Sequence, residues 1–369
     1  MSGSQRMLVA GGAAALLLTA AGTAVAGTGG GTVPAAAGLS SGPTAGPINP
    51  TISGPKVFFW PQGGKPATLA PTAPSATQAN NLIFHGGVVE HHPRVYVIYW
   101  GTEWQQGFHT GPNAAYSNRT AMNYVTNFFR NIGGSPWNGT QTQYCDNIAP
   151  GSTSCAGLPL AQYISNSPKV LAGVWVDPTP APPTIVTTGL VQNVVTDPIA
   201  SEAVKASQHF GFNPDATYMV FTPPGHAATA YGSVYCAYHS EVTNPGGHGI
   251  RYSFMPYTPE QGAGCGANSV NAKNDAFGHG YMDSYSLAGG HEYAEAVTDP
   301  DAFPTQDGWN DVQTSENGDK CAYFHPANIS IGGYYYAVQP MWSNEANGGS
   351  GGCAMARGTG AAPVPSPVP

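Results

Sequence analysis

The stretch "RVYVIYWG", Arg94–Gly101, decides the fold. Six β-branched or aromatic residues run without a break and stop at a glycine, which reads as a buried strand. Downstream of it the chain alternates between two periods. "AMNYVTNFFRNI", Ala121–Ile132, repeats its apolar residues at helical spacing and stops at Gly133–Gly134. "KVLAGVWVD", Lys169–Asp177, reads as a second strand. "DPIASEAVKASQHFGF" reads as a second helix, with Asp197 as its cap, Pro198 in its first turn and Gly211 at its end. "ATYMVFTPPG", Ala216–Gly225, gives a third strand. "SVYCAYHSEV" (Ser233–Val242) and "GIRYSFMPYT" (Gly249–Thr258) form an antiparallel pair joined by "TNPGGH". A third helix begins near Ser284. Strands alternating with helices predict a layered α/β domain with a mixed, mostly parallel sheet and an antiparallel edge pair.

Outward from this domain the chain changes character. The start, residues 1–26, reads as a secretory signal: Arg6, an apolar run from Met7 to about Ala21, then "AVA" at Ala24–Ala26. The run is shorter than the roughly 20 residues a membrane span requires, so no membrane association is expected once it is cleaved. Residues 27–81 are rich in Gly, Pro and Ala and read as a linker or pro-segment, with "KVFFWP" (Lys56–Pro61) as an apolar island able to dock on the domain. Residues 82–355 form the domain, and 356–369 read as a disordered Pro-rich tail.

Charged residues are only 9% of the chain, against 49 Gly and 34 Pro, so uncharged polar side chains must cover the surface. The formal charge of −8 with 12 Lys and Arg excludes a basic face for nucleic acid. Six cysteines in an exported chain predict three disulfides. Sequence alone permits 15 pairings. The nearest-neighbour set is Cys145–Cys155, Cys236–Cys265 and Cys321–Cys353, and the absence of CxxC argues against thiolate zinc.

The third helix carries the chemistry. "SLAGGHEYAEAVTDPDAF", Ser286–Phe303, sets His291, Glu292, Glu295 and Asp299 within nine residues. On a helix His291 and Glu295 lie four apart on one face, where both reach a single cation. Glu292, one step round, is placed to act on water as a general base. Gly289–Gly290 imply a close neighbour, and Pro300 limits the helix. Asp299 lies about 12 Å along the axis from His291, which suits a helix-end hydrogen bonder better than a ligand. A third ligand is expected from "TSENGDKCAY", Thr314–Tyr323: Glu316 first, Asp319 second, beside a cysteine that pins the loop. His239 in "CAYHS" is a candidate to line the site and stabilise an oxyanion, against the plainer role of a buried, hydrogen-bonded histidine. His248, His279 and His325 read as loop residues, and "HGGVVEHH" (His85–His92) as an exposed turn. No GxSxG precedes a helix, so a serine nucleophile is not indicated.

These residues carry two resemblances. "LIFHGGVVEHHPRVYVIYWG", "ATYMVFTPPG", "CAYHS", "LAGGHEYAEAVTDP" and "GWNDVQTSENGDKC" resemble the phosphate-induced, exordium-like secreted proteins over about Leu82–Cys321. That resemblance implies a role at the cell wall and in growth, with no firm catalytic activity. The metal constellation favours a bacterial, enzymatically competent branch. "HEYAE" is also similar to the HExxH helix of zincin metallopeptidases, with Glu295 replacing the second histidine. It implies a zincin-like layering, with an edge strand that pairs with the substrate backbone. The expectation is a secreted hydrolase acting on peptide or protein, most simply a zinc metallopeptidase. Zinc is held by His291, Glu295 and Glu316 or Asp319. The alternatives are a non-catalytic wall or glycan binder, with calcium in place of zinc, and an acid-active carboxylate peptidase without metal.

Overall fold

The computed structural model describes residues 56–58, 81–182, 185–186, 198–228, 230–271, 280–301, 307–322 and 324–357. The expected signal segment, nearly all of the linker, the expected cap Asp197 and His279 lie outside them, as does the tail beyond residue 357. The central sheet has six strands: β1 (Lys56–Phe58), β2 (Arg94–Trp100), β3 (Leu171–Asp177), β4 (Ala216–Phe221), β5 (Ala237–Thr243) and β6 (Gly249–Met255). Their order across the sheet is β1-β5-β6-β4-β2-β3. The pairs β3–β2, β2–β4 and β4–β6 are parallel, while β5 is antiparallel to β6 and to β1. The sheet is therefore mostly parallel with an antiparallel edge, as the strand and helix periods predict.

Among the described residues three long helices flank it: α1 (Asn118–Ile132), α2 (Pro198–Phe210) and α3 (Asp283–Thr298). Ser117 caps α1 by accepting from the Thr120 amide, and Thr120 returns the bond to the Ser117 amide. Its buried residues Ala121, Tyr124, Val125, Phe128, Phe129 and Ile132 make one stripe. That stripe and α3 share a core with Val95, Val97 and Tyr99 of β2. Ile98 and Trp100, on the opposite face, pack with Ile199, Ala203 and Val204 of α2. The alternation of strand side chains thus divides the helices between the two faces of the sheet. Each fully buried Val, Ile or Phe contributes roughly 1.5–3 kcal/mol of transfer free energy, so the two cores anchor the central strands from both sides.

Two elements are shorter than the sequence patterns imply. β4 ends at Phe221, before Pro223 and Pro224 and the turn in which the His226 amide bonds the Pro223 carbonyl. β5 begins only at Ala237, because Ala230–Tyr235 is taken up by tight turns. All three disulfides join nearest neighbours: Cys145–Cys155, Cys236–Cys265 and Cys321–Cys353. Among the described residues no helix is long and apolar enough to cross a membrane.

Candidate metal centre

Every residue of α3 is buried, including the polar side chains of Asp283, Ser284, Ser286, His291, Glu292, Glu295 and Thr298. A helix this deep must pair its polar groups. At its start Asp283 accepts from the Val270 and Asn271 amides at 3.0 and 2.7 Å, and from the Asn271 side chain. At its end Asp299 accepts from the Gly308 amide at 2.6 Å and from Asn310 at 3.3 Å, a helix-end role. Gly289 and Gly290 let aromatic rings approach: a methyl on Gly290 would stand 3.4 Å from Trp137 and 3.5 Å from Phe128.

Between these ends α3 runs against β5 and the turn around Gly318, and six side chains converge. His291, Glu292 and Glu295 come from α3, His239 from β5, and Glu316 and Asp319 from the turn. Ala237 packs into the core that holds α3, so His239, two residues on, points to the same side. His291 Nε2 lies 2.9 Å from Glu295 Oε1 and 3.7 Å from Asp319 Oδ1. His239 Nδ1 lies 3.1 Å from Glu292 Oε2 and 3.6 Å from Glu295 Oε2, and its Nε2 lies 3.6 Å from Glu316 Oε1. Five of the six residues are at most 2% exposed; the Asp319 side chain, at 22%, faces outward.

These distances sort the donors into two groups able to hold a cation: His291, Glu295 and Asp319; and His239, Glu295 and Glu316. Both acids of the turn approach the helix pair, but they divide between the histidines. Asp319 stands with His291, and Glu316 with His239. His85, His91, His92, His248 and His325 belong to neither group. His91 instead contacts Asp146 at 3.0 Å, and His248 stacks on Phe212.

The turn is fixed from several sides. The Asp319 amide donates to Glu295 Oε1 at 3.0 Å, and the Glu316 amide to Asp319 Oδ2 at 3.3 Å. Gly318 is pressed onto the donors: a Cβ there would stand 2.8 Å from both Glu295 Oε1 and His291 Nδ1. Gln339 was not apparent as a site residue, since an uncharged amide far downstream carries no motif. Its Nε2 donates to the Gly318 carbonyl at 2.7 Å, which turns its Oε1 toward His291 Nδ1 at 3.3 Å. An amide oxygen only accepts, so Nδ1 carries the proton and Nε2 presents its lone pair to Glu295 and Asp319.

Burial pulls the His291 pKa down to about 4, against the opposing pull of Asp319 and the Gln339 bond. The ring is therefore neutral at pH 7. A neutral lone pair 2.9 Å from a carboxylate oxygen is repelled by it, and a cation between them converts the repulsion to attraction. The spacing fits: with bonds of about 2.0–2.1 Å, two donors on one tetrahedral zinc stand roughly 3.3 Å apart. The separations of 2.9 and 3.7 Å lie on either side of that value.

Compared with known proteins, the chain matches no family model, no curated sequence and no solved structure. The chemistry of the site is accordingly argued from its own geometry.

Proposed function

We propose that the protein is a secreted, metal-dependent hydrolase acting on polypeptide, most simply a zinc metallopeptidase. The observation that carries this reading is the convergence of two imidazoles and four carboxylates around α3. His291, Glu295 and Asp319 hold the cation. Nitrogen and carboxylate donors without thiolate suit zinc. When bound, the ion supplies Lewis acidity sufficient to bring the pKa of a water molecule toward about 7. Glu292 accepts the proton and returns it to the leaving amine. His239, 3.1 Å from Glu292, orients that carboxylate.

A polypeptide substrate is favoured by the edge of the sheet. β5 already accepts an extended segment of its own chain, β1, in the register Lys56↔His239, Val57↔Tyr238 and Phe58↔Ala237. A strand in that position crosses beside a candidate metal ligand, and β1 also contacts α3. Backbone pairing to an edge strand recognises extended peptides with little regard to sequence. The placement of α3 beneath an antiparallel edge pair supports the zincin-like reading. In the same reading the segment before residue 82 acts as a pro-segment, and the three disulfides suit an extracellular site of action.

The test is hydrolysis of a broad protein substrate by the purified chain, followed by chelation and zinc add-back. Activity should vanish with chelator and return with zinc. Glu292→Gln should lower kcat by about 10²–10⁴-fold while metal content is unchanged. A fully active variant refutes the base assignment. Calcium or no metal in the purified protein, with no hydrolysis, favours the wall- or glycan-binding alternative. Chelator-resistant activity at low pH favours a carboxylate peptidase.

A further inference from the structure

The hydrolase reading requires one cation, yet the donors fall into two groups that share a single residue. Glu295 Oε1 faces His291 Nε2 at 2.9 Å, and Glu295 Oε2 stands 3.6 Å from His239 Nδ1. Each oxygen thus serves a different imidazole, and each imidazole has a second carboxylate: Asp319 at 3.7 Å for His291, Glu316 at 3.6 Å for His239. We propose that the centre is dinuclear, with Glu295 bridging two divalent cations, one held with His291 and Asp319 and the other with His239 and Glu316. The proposal rests on the hydrolase reading and extends it.

Three further features fit. Each imidazole has a side-chain oxygen beside its Nδ1. Gln339 Oε1 accepts from His291 Nδ1 at 3.3 Å, and Glu292 Oε2 stands 3.1 Å from His239 Nδ1. For His291 this presents Nε2 to Glu295 and Asp319, as side-chain acceptors behind metal-bound histidines commonly do; for His239 it presents Nε2 to Glu316, with Glu295 on the Nδ1 side. Next is charge. Four carboxylates, three of them at most 1% exposed, face the two rings; metal binding requires the ligands deprotonated and the rings neutral, which would give the set a formal charge of −4. One divalent ion leaves −2 in a buried volume, whereas two ions balance it. Finally, the two oxygens of one carboxylate span metal ions about 3.5–4 Å apart, the spacing of two-metal hydrolytic sites. The Asp319 amide donates to Glu295 Oε1 at 3.0 Å and so restrains that carboxylate.

Such a pair would supply Lewis acidity to a water molecule, and Glu292, with one oxygen on His239, would receive the proton on the other. The donor set, two nitrogens and four carboxylates without sulfur, suits zinc, cobalt or manganese rather than monovalent copper.

The full chain, stripped with chelator and reloaded with zinc, should contain two zinc ions by elemental analysis. Zinc titration by calorimetry should saturate at two, and anomalous scattering at the zinc edge should give two peaks about 3.5–4 Å apart on either side of Glu295. Glu316→Gln and, separately, His239→Asn should each lower the content from two to one. A single zinc in the wild-type chain overturns the dinuclear assignment and leaves the hydrolase reading standing. No zinc overturns both. Retention of two ions by the Glu316→Gln variant overturns the assignment of the second site. Where a variant fails to fold, the wild-type stoichiometry and the two peaks decide.

Discussion

Gly318 controls the donor geometry because it has no side chain. Its backbone dihedrals are ordinary, φ −75° and ψ −47°, so no special conformation calls for glycine there. Space does: an added methyl would meet Glu295 Oε1 and His291 Nδ1 at 2.8 Å, closer than side-chain carbons sit. Gly318→Ala should therefore displace the imidazole or the carboxylate and weaken zinc binding by about 10–100-fold, measured by competition with a chromophoric chelator. Unchanged affinity would show that these donors do not bind the ion. The helix spacing of His291 and Glu295 was legible in the sequence because four residues bring two side chains to one face. The division of Glu316 and Asp319 between the two histidines was not. It depends on how a short turn rotates two acids three residues apart, and on the Gln339 bond to the Gly318 carbonyl.

Among the elements, β1 is the one whose loss should raise activity. It occupies the free edge of β5 opposite His239 through backbone pairing. Neighbouring residues of a strand send their N–H groups to opposite sides, so Lys56→Pro with Val57→Pro removes one ladder donor whatever the phase. The doubly substituted chain should cleave a peptide substrate roughly tenfold faster, equivalent to about 1.4 kcal/mol of edge pairing lost. A steady-state assay checks this; an unchanged or lower rate would show that β1 does not compete with substrate. The main strands were legible because they are unbroken β-branched and aromatic runs. β1 showed only as an apolar island in a Gly- and Pro-rich stretch, since three residues carry no period. Its partner strand is set by β5 having a free edge, which is a property of the assembled sheet.

At the scale of the whole molecule, the sheet buries an ionisable group that serves neither core nor metal. Glu90 is fully buried, accepts from Thr217 Oγ1 at 3.0 Å and donates its amide to Val297 at the end of α3. Desolvation raises its pKa to about 8, with Arg251 and the Thr217 bond acting in the opposite direction. The folded chain therefore holds a proton that the unfolded chain has released above about 4.5. The associated stability is fully present below that value and is lost as pH rises through 8. Glu90→Gln should remove this dependence. Relative to the variant, the wild-type chain should lose on the order of a few kcal/mol between about pH 4.5 and 8.5, monitored by thermal unfolding. Parallel curves for the two chains would show that Glu90 ionises freely in the fold.

Of the three cross-links, Cys321–Cys353 bears most directly on the centre. It fastens the turn holding Glu316, Gly318 and Asp319 to a strand near the far end of the domain, Gly352–Ala354. Two of the donors thus come from a piece of chain whose position is secured by oxidation. Should the centre hold metal as proposed, opening this one bond would loosen Glu316 and Asp319 together, so capture of the ion would follow the oxidation of the chain.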